Sequence, residues 1–278
     1  MMKNIFVASA LALLASTGFS QRLDAQENPL QNGPSWEDLR GDIVGEVDLH
    51  DGASLFEVVA PYRAHDAATV PLVIKQKTGA ETIERAIVVI DENPAPMAAD
   101  FSFGAAMGPL DFEVRVRVNQ YSNIRVLAET EAGWSMTGRY VKASGGCSAP
   151  ASRDPEVALA AMGKMRLRHF EADTKPLSTP AQMSTARRKA QIMIRHPNYS
   201  GLQRDQITQL FIGAHFIDQL EVFQGDEMLF TMTGGISVSE NPVFRFGYLD
   251  NGAPALRVRA QDTEGNIFET LLPKSGES

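Results

Sequence analysis

An alternating pattern of apolar and polar residues constrains the fold of this chain more than any other feature. In residues 112–118, Phe-Glu-Val-Arg-Val-Arg-Val, the apolar side chains fall on one face and Glu113, Arg115 and Arg117 on the other, which predicts a half-buried strand. Similar short runs recur through the first half of the chain, with turn sequences between them. The predicted strands of this half are residues 55–59, 70–76, 82–90, 97–103, 112–118, 122–131 and 134–142.

The second half repeats this pattern. Its predicted strands are residues 165–169, 190–195, 216–223, 227–233, 243–246, 255–260 and 267–272. Between the halves, Asp154, Pro155 and Glu156 form a typical helix start and Gly163 a typical helix end, so a short helical linker is predicted. Another short helix is predicted from Ser35, before the first strand. The sequence therefore predicts an all-β protein of two antiparallel β-sandwiches.

Cys147 is the only cysteine of the chain and follows the last predicted strand of the first half. Gly145 and Gly146 precede it, small residues follow it, and no bulky apolar neighbour is present to bury it. Because glycine restrains the backbone little, we expect a flexible arm that carries a reactive, solvent-exposed thiol. The competing interpretation is a small buried hydrophobe, the usual role of an isolated cysteine. A disulfide within the chain is excluded, whereas a disulfide-linked dimer through Cys147 is chemically easy.

The N-terminal residues have the features of a secretory signal peptide. Lys3 provides a positive charge, residues 5–14 form a short apolar run, and small residues lead to a cleavage site after Ala25, with Ser20 as the alternative. The apolar run is too short to span a bilayer. We therefore expect residues 1–25 to be removed and the mature protein to reside in the periplasm. The net charge of −8 argues against nucleic acid and anionic membranes as partners.

No catalytic constellation is evident, and we predict a protein that is not an enzyme and needs no cofactor. The histidines lack metal-ligand spacing, so no metal site is predicted unless folding brings them together. Carboxylates in turns, such as Asp91 and Glu92, are expected at the surface. No residue next to Cys147 provides the base that a cysteine nucleophile needs. A thiol on a flexible arm instead suits the covalent carriage of persulfide or thiosulfonate groups. The five histidines are His50, His65, His169, His196 and His215.

Several motifs resemble the SoxY and SoxZ families of sulfur-oxidation proteins, in family order. Residues 91–96, Asp-Glu-Asn-Pro-Ala-Pro, resemble the Asn-Pro-x-Pro turn of SoxY, and residues 145–147, Gly-Gly-Cys, resemble its terminal motif. Residues 194–197, Ile-Arg-His-Pro, and residues 214–217, Ala-His-Phe-Ile, resemble SoxZ. The whole chain is similar to the fused SoxYZ-like carriers that are associated with quinoprotein dehydrogenases.

The resemblance implies two immunoglobulin-like β-sandwich domains, with Cys147 as the site of covalent sulfur attachment. It implies a SoxY-like domain at residues 26–147, a linker at 148–163 and a SoxZ-like domain at 164–278. The implied partners are enzymes of periplasmic sulfur oxidation, thiosulfate oxidation included, or a quinoprotein dehydrogenase with its c-type cytochrome. One departure from the family concerns the arm. Ser148, Ala149 and Pro150 replace the downstream glycines and a second domain follows, so the arm is tethered at both ends.

Two functions stay open on the sequence. The first is a periplasmic carrier that holds a sulfur-containing intermediate on Cys147 and presents it to partner enzymes. The second is a non-covalent accessory or maturation factor for a quinoprotein dehydrogenase and cytochrome system, in which Cys147 is incidental. A copper- or haem-handling chaperone ranks last, because Met183 and Met193 belong to no Met/His cluster.

Overall fold

The structure is a computed structural model that describes residues 28–150, 155–170 and 187–274. Two α-helices lie in these ranges, α1 (Ser35–Val44) and α2 (Pro155–Ala160). The strands of the first half are β1 (Leu49–Asp51), β2 (Phe56–Val59), β3 (Val70–Gln76), β4 (Arg85–Ile90), β5 (Met97–Phe103), β6 (Asp111–Val116), β7 (Ser122–Thr130) and β8 (Gly133–Val141). Those of the second half are β9 (Met165–Phe170), β10 (Arg187–Ile194), β11 (Ile217–Gln224), β12 (Glu227–Gly234), β13 (Val243–Leu249), β14 (Ala255–Asp262) and β15 (Ile267–Pro273).

The strands form two sheets, and each sheet runs through both halves of the chain. The order is β1-β8-β7-β4-β5-β12-β11-β14-β15 in the nine-stranded sheet and β2-β3-β6-β13-β10-β9 in the six-stranded sheet. The halves meet where β5 pairs with β12 in the first sheet and β6 with β13 in the second, both antiparallel. Backbone hydrogen bonds therefore join the two halves in both sheets.

A cluster of phenylalanines fills the space between the sheets where the halves meet. Phe112 of β6 packs edge-on against Phe101 of β5 at 4.9 Å between ring centroids and against Phe230 of β12 at 5.2 Å. Phe230 in turn packs against Phe246 of β13 at 5.2 Å. Edge-to-face contacts of this kind add to the free energy gained by burying the rings. The core is thus continuous across the junction, which fixes how the halves are placed.

Most of the predicted elements are confirmed. The protein is mostly β in two sheets, and each predicted strand has an observed counterpart, although short β1 was not anticipated. The linker helix is present, and its predicted cap Asp154 lies outside the described residues, as does the predicted signal peptide at 1–25. None of the described helices is long and apolar enough to cross a membrane.

One prediction about the strand at 112–118 is wrong. The alternation places Arg117 on the polar face, but β6 ends at Val116 and Arg117 is only 1% exposed. The second half of the chain covers it, because its backbone N–H donates to the carbonyl of Ser237 at 2.7 Å. Alternation within a strand predicts which face a side chain occupies, but not what another segment places on that face.

Candidate functional site

The segment that carries the only cysteine leaves the end of β8 and folds back as a turn against the first half. We call residues 143–150 the cysteine arm. The N–H of Gly145 donates to the carbonyl of Asn119 at 2.8 Å, and that of Gly146 donates to the carbonyl of Val118 at 3.0 Å. Ser148 closes the turn with a hydrogen bond from its N–H to the carbonyl of Gly145 at 3.2 Å. The arm is therefore docked on the strand exit that follows β6.

The two glycines of the arm are needed for different reasons. Gly145 has a φ of 78°, in the left-handed region that favours glycine. Gly146 approaches the neighbouring backbone so closely that an added Cβ would lie 2.1 Å from the carbonyl oxygen of Ala67 and 2.7 Å from that of Val118. Both were predicted to make the arm flexible. The flexibility stays a prediction, and in the docked arm the two glycines allow a tight turn and a close contact.

The second half of the chain holds the other side of the arm. The hydroxyl of Ser200 donates to the carbonyl of Cys147, and the side-chain amide of Gln203 donates to the carbonyl of Ala149 at 3.1 Å. Ser200 and Gln203 are themselves linked, since the N–H of Ser200 donates to Oε1 of Gln203 at 3.1 Å. We call Val118, Asn119, Ser200 and Gln203 the arm seat. The arm thus lies in the seam between the halves and is held by both.

The thiol of Cys147 is buried, with none of its surface exposed. The expectation of a solvent-exposed thiol is therefore wrong for the docked arm. Its physical reason is the arm seat, whose second-half residues are distant in sequence and cover the small residues of the arm. Burial raises the pKa of the thiol, and the charge of Arg117 offsets part of that rise. Reaction of Cys147 with another molecule, including a second copy of the chain, requires the arm to leave the seat.

Arg117 is the charged residue that acts electrostatically on this thiol. Its Nη1 donates to the carbonyls of Ile236 at 3.1 Å and Val238 at 2.6 Å, so the second half also anchors this side chain. Burial lowers the pKa of the guanidinium, and the charges of Cys147 and Glu240 partly offset that effect. Sequence reasoning missed Arg117 as a site residue, because only its place in a strand pattern was visible.

The turn at residues 91–96 forms hydrogen bonds with the backbone at residues 117–119, which carries part of the arm seat. The side-chain amide of Asn93 donates to the carbonyl of Arg117 and to Oγ of Ser237, both at 2.8 Å, and its Oδ1 accepts the N–H of Asn119 at 2.8 Å. Asp91 in the same turn is only 6% exposed, which corrects the expectation of a surface carboxylate. It accepts hydrogen bonds from Nε of Arg125 at 2.9 and 3.0 Å. The turn therefore orders the backbone on which the arm rests.

Folding does bring two histidines together, with Asp262 between them. Nε2 of His215 lies 2.8 Å and Nε2 of His196 3.3 Å from Oδ2 of Asp262. Nδ1 of His196 accepts the N–H of Asn198 at 3.0 Å, so in the neutral ring Nε2 carries the proton and donates to the carboxylate. Burial would raise the pKa of Asp262, but hydrogen bonds led by Asn266 and His215 outweigh it and lower the pKa to about 2.

This cluster acts structurally on the arm seat. An ion bound at Nε2 of His196 would place the ring proton on Nδ1, to which the N–H of Asn198 already donates, so the donor set fits a hydrogen-bond network. The backbone N–H of His215 donates to the carbonyl of Tyr199 at 2.9 Å, next to Ser200. The network thereby fixes the loop at 196–200 that clamps the arm. Residue spacing does not predict this network, because Asp262 lies 66 residues from His196.

Comparisons with known proteins match each half separately. A family model for the sulfur oxidation protein SoxY matches residues 40–147, and one for the sulphur oxidation protein SoxZ matches residues 178–272. Among solved structures, the sulfur carrier protein SoxY from Chlorobium limicola f thiosulfatophilum is 20% identical with a TM-score of 0.33, over 39% of this chain and 94% of that chain. No curated protein matches the chain. The SoxY match ends at Cys147.

Proposed function

We propose that Cys147 covalently holds a sulfur-containing intermediate. The reason is that this chain joins a SoxY domain to a SoxZ domain and is thus a carrier protein of the sulfur-oxidation families. We further propose that the protein works in the periplasm and presents this intermediate to partner enzymes. The observation that carries the proposal is the docked arm, a single thiol on a glycine turn in the seam between the halves. The domain boundaries at 147 and 164 belong to the same proposal.

Loading of the thiol follows from thiolate chemistry. The Cys147 thiolate attacks the sulfane sulfur of a donor that already contains a sulfur–sulfur bond. That bond breaks, a new sulfur–sulfur bond forms on Cys147, and the leaving sulfur anion departs with the electron pair. No external oxidant is needed, since the donor is already at the required oxidation level. Unloading is the reverse type of exchange or hydrolysis in the active site of a partner.

A buried resting position suits such a carrier. A persulfide or thiosulfonate is readily attacked by other thiols, so cover by the seat protects the cargo between partners. The seat bonds to the arm through four hydrogen bonds, two from Gly145 and Gly146 and two from Ser200 and Gln203. Each contributes only about 0.5–1.5 kcal/mol net, so binding to a partner can release the arm.

The test is intact mass spectrometry of the protein isolated from its own cells growing on a reduced sulfur compound, before and after treatment with reductant. We expect an added sulfur-containing mass on the peptide that contains Cys147, lost on reduction and absent from Cys147→Ser. The N-terminal residue of the same sample tests export, since cleavage after Ala25 is expected. A thiol that stays unmodified under these conditions contradicts the carrier proposal.

One observation favours the alternative, a non-covalent accessory factor for a quinoprotein dehydrogenase and cytochrome system. The thiol is fully buried, as an incidental cysteine would be. The two proposals differ in the phenotype of Cys147→Ser. The carrier proposal requires loss of sulfur-dependent growth with the fold intact, whereas the accessory-factor proposal requires normal function from the serine variant.

A further inference from the structure

Arg117 is a fully buried cation that forms no ion pair with any residue that the structure describes. In residues 28–150, 155–170 and 187–274, no carboxylate lies within 4.0 Å of its guanidinium, and Glu240 acts on it only at longer range. Both of its recorded hydrogen bonds use Nη1 and end on backbone carbonyls. Among the described residues, Nε and Nη2 of Arg117 meet no hydrogen-bond acceptor.

A buried charge without a counter-ion is costly, because desolvation is not repaid by attraction to an opposite charge. Buried arginines are accordingly paired in most proteins, and Arg125 in this chain is paired with Asp91. The free edge of Arg117 is the part of a guanidinium that binds carboxylates and other oxyanions through two parallel hydrogen bonds. An unpaired guanidinium in the interior therefore indicates an anion that is bound in one state of the protein.

The backbone places this guanidinium beside the cysteine arm. Residues 118 and 119 follow directly in sequence, and their carbonyls accept the N–H groups of Gly146 and Gly145. Burial lowers the pKa of the Arg117 guanidinium, and the charges of a thiolate at Cys147 and of Glu240 oppose that effect. A negative charge on the sulfur of the docked arm is thus favoured by a cation that has no carboxylate within 4.0 Å among the residues that the structure describes.

We propose that Arg117 binds the negative charge of the sulfur adduct on Cys147 while the arm is docked, and so makes the seat selective for an anionic, oxyanion-bearing cargo. This inference rests on the proposed function, since it concerns what the carried group touches. It assigns Arg117 as a specificity residue for the cargo. A neutral adduct of similar size gains nothing from the guanidinium and docks less tightly.

Two adducts on the purified full chain separate charge from size. Tetrathionate gives the anionic one: the Cys147 thiolate attacks a central sulfur, the central sulfur–sulfur bond breaks, and thiosulfate leaves, so that a thiosulfonate remains on Cys147. Methyl methanethiosulfonate gives the neutral one: its sulfur–sulfur bond breaks, methanesulfinate leaves, and a methyl disulfide remains. Removal of each adduct by dithiothreitol is followed by intact mass in the native protein and in urea. The ratio of the two rates measures the protection given by the seat.

In the wild type we expect the thiosulfonate to be protected about tenfold more than the methyl disulfide, as a charge-assisted hydrogen bond would give. Arg117→Gln should remove this difference, and Arg117→Lys, which keeps the charge, should retain most of it. Equal protection of both adducts in the wild type overturns the inference without any variant, so a misfolded Arg117→Gln does not leave it undecided. Equal differences in the wild type and a folded Arg117→Gln overturn it as well.

Failure of this inference is distinct from failure of the carrier proposal. The adduct experiments load Cys147 chemically and report only on the contact with Arg117. The carrier proposal is judged on the protein from its own cells, by whether Cys147 bears sulfur there. Native loading together with equal protection of the two adducts would keep the carrier and remove the role of Arg117.

Discussion

Two buried arginines of the first half are hydrogen-bonded to the turn at residues 91–96, and they satisfy their charges differently. Arg125 binds Asp91 through Nε at 2.9 Å, and its guanidinium lies 4.7 Å from the ring centroid of Trp36 in α1. Arg117 donates to the backbone carbonyls of Ile236 and Val238, and its charge offsets part of the rise that burial causes in the pKa of the Cys147 thiol. The first arrangement is complete within the fold. In our proposal the second is completed by a negative charge on the docked arm.

The largest effect on stability is expected at Arg125, whose charge is paired within the fold. Asp91→Asn leaves the Arg125 charge buried without its partner, and loss of one member of a buried pair costs about 3–5 kcal/mol. Urea unfolding measures the free energy of unfolding. The matched control is Asp100→Asn, which breaks the pair with Arg85, whose side chain is 41% exposed, and should cost about 1 kcal/mol or less. Equal losses of unfolding free energy in the two variants would show that the buried Asp91–Arg125 pair stabilises the fold no more than the exposed Asp100–Arg85 pair does.

On the arm side, Gly146→Ala should have the largest effect. Its Cβ would lie 2.1 Å from the carbonyl oxygen of Ala67, and such overpacking costs about 1–3 kcal/mol, enough to displace the arm. We expect Cys147 to be alkylated by iodoacetamide at least about tenfold faster than in the wild type. Gly145→Ala is the control, because its Cβ meets nothing closer than 3.9 Å and only the φ of 78° resists it. Faster alkylation in the control than in Gly146→Ala would contradict this account of the docked arm.

Ser200→Ala tests the contribution of the second half to the seat. It removes the hydroxyl that donates to the carbonyl of Cys147 and leaves a buried acceptor without that partner. The loss of about 1 kcal/mol corresponds to alkylation about fivefold faster. Ser148→Ala removes an exposed hydrogen bond within the arm itself and should change the rate little. If both variants react alike, the second half does not hold the arm.

The parts of this picture that the sequence predicted are those that depend on neighbours in sequence. Alternation in residues 112–118 and in the other runs located the strands, because successive side chains of a strand point to opposite faces of the sheet. It failed for Arg117, whose cover comes from residues 236–238. Local composition failed in the same way for Cys147, whose cover comes from Ser200 and Gln203. The pairing of β5 with β12 that brings these segments together leaves no trace in either strand alone.

The same limit explains the hydrogen-bond network of Asp262. His196, His215 and Asp262 meet because their segments converge beside the start of β11 and the end of β14, strands that pair with each other. Spacing rules detect ligands on one element and not on three. The motif resemblance at residues 194–197 and 214–217 did point to these stretches, although not to the residues' contacts.

The pH dependence of the thiol gives the smallest and most specific test of the comparison. Burial raises the pKa of Cys147 in the docked arm, so docking stabilises the protonated thiol. The sign follows: the contribution is fully present below the pKa of an unfolded cysteine and is lost as pH rises through the docked pKa. Thiolate absorbance should therefore titrate at higher pH in the native chain than in urea.

Arg117→Gln should raise the native midpoint further, since the guanidinium opposes the rise, whereas Arg117→Lys should not. Arg115→Gln, an exposed change two residues away in β6, is the control and should leave the midpoint unchanged. A native midpoint that is insensitive to the charge at position 117 would mean that Arg117 does not act on the sulfur, and the two buried arginines would then differ only in how the fold pairs them.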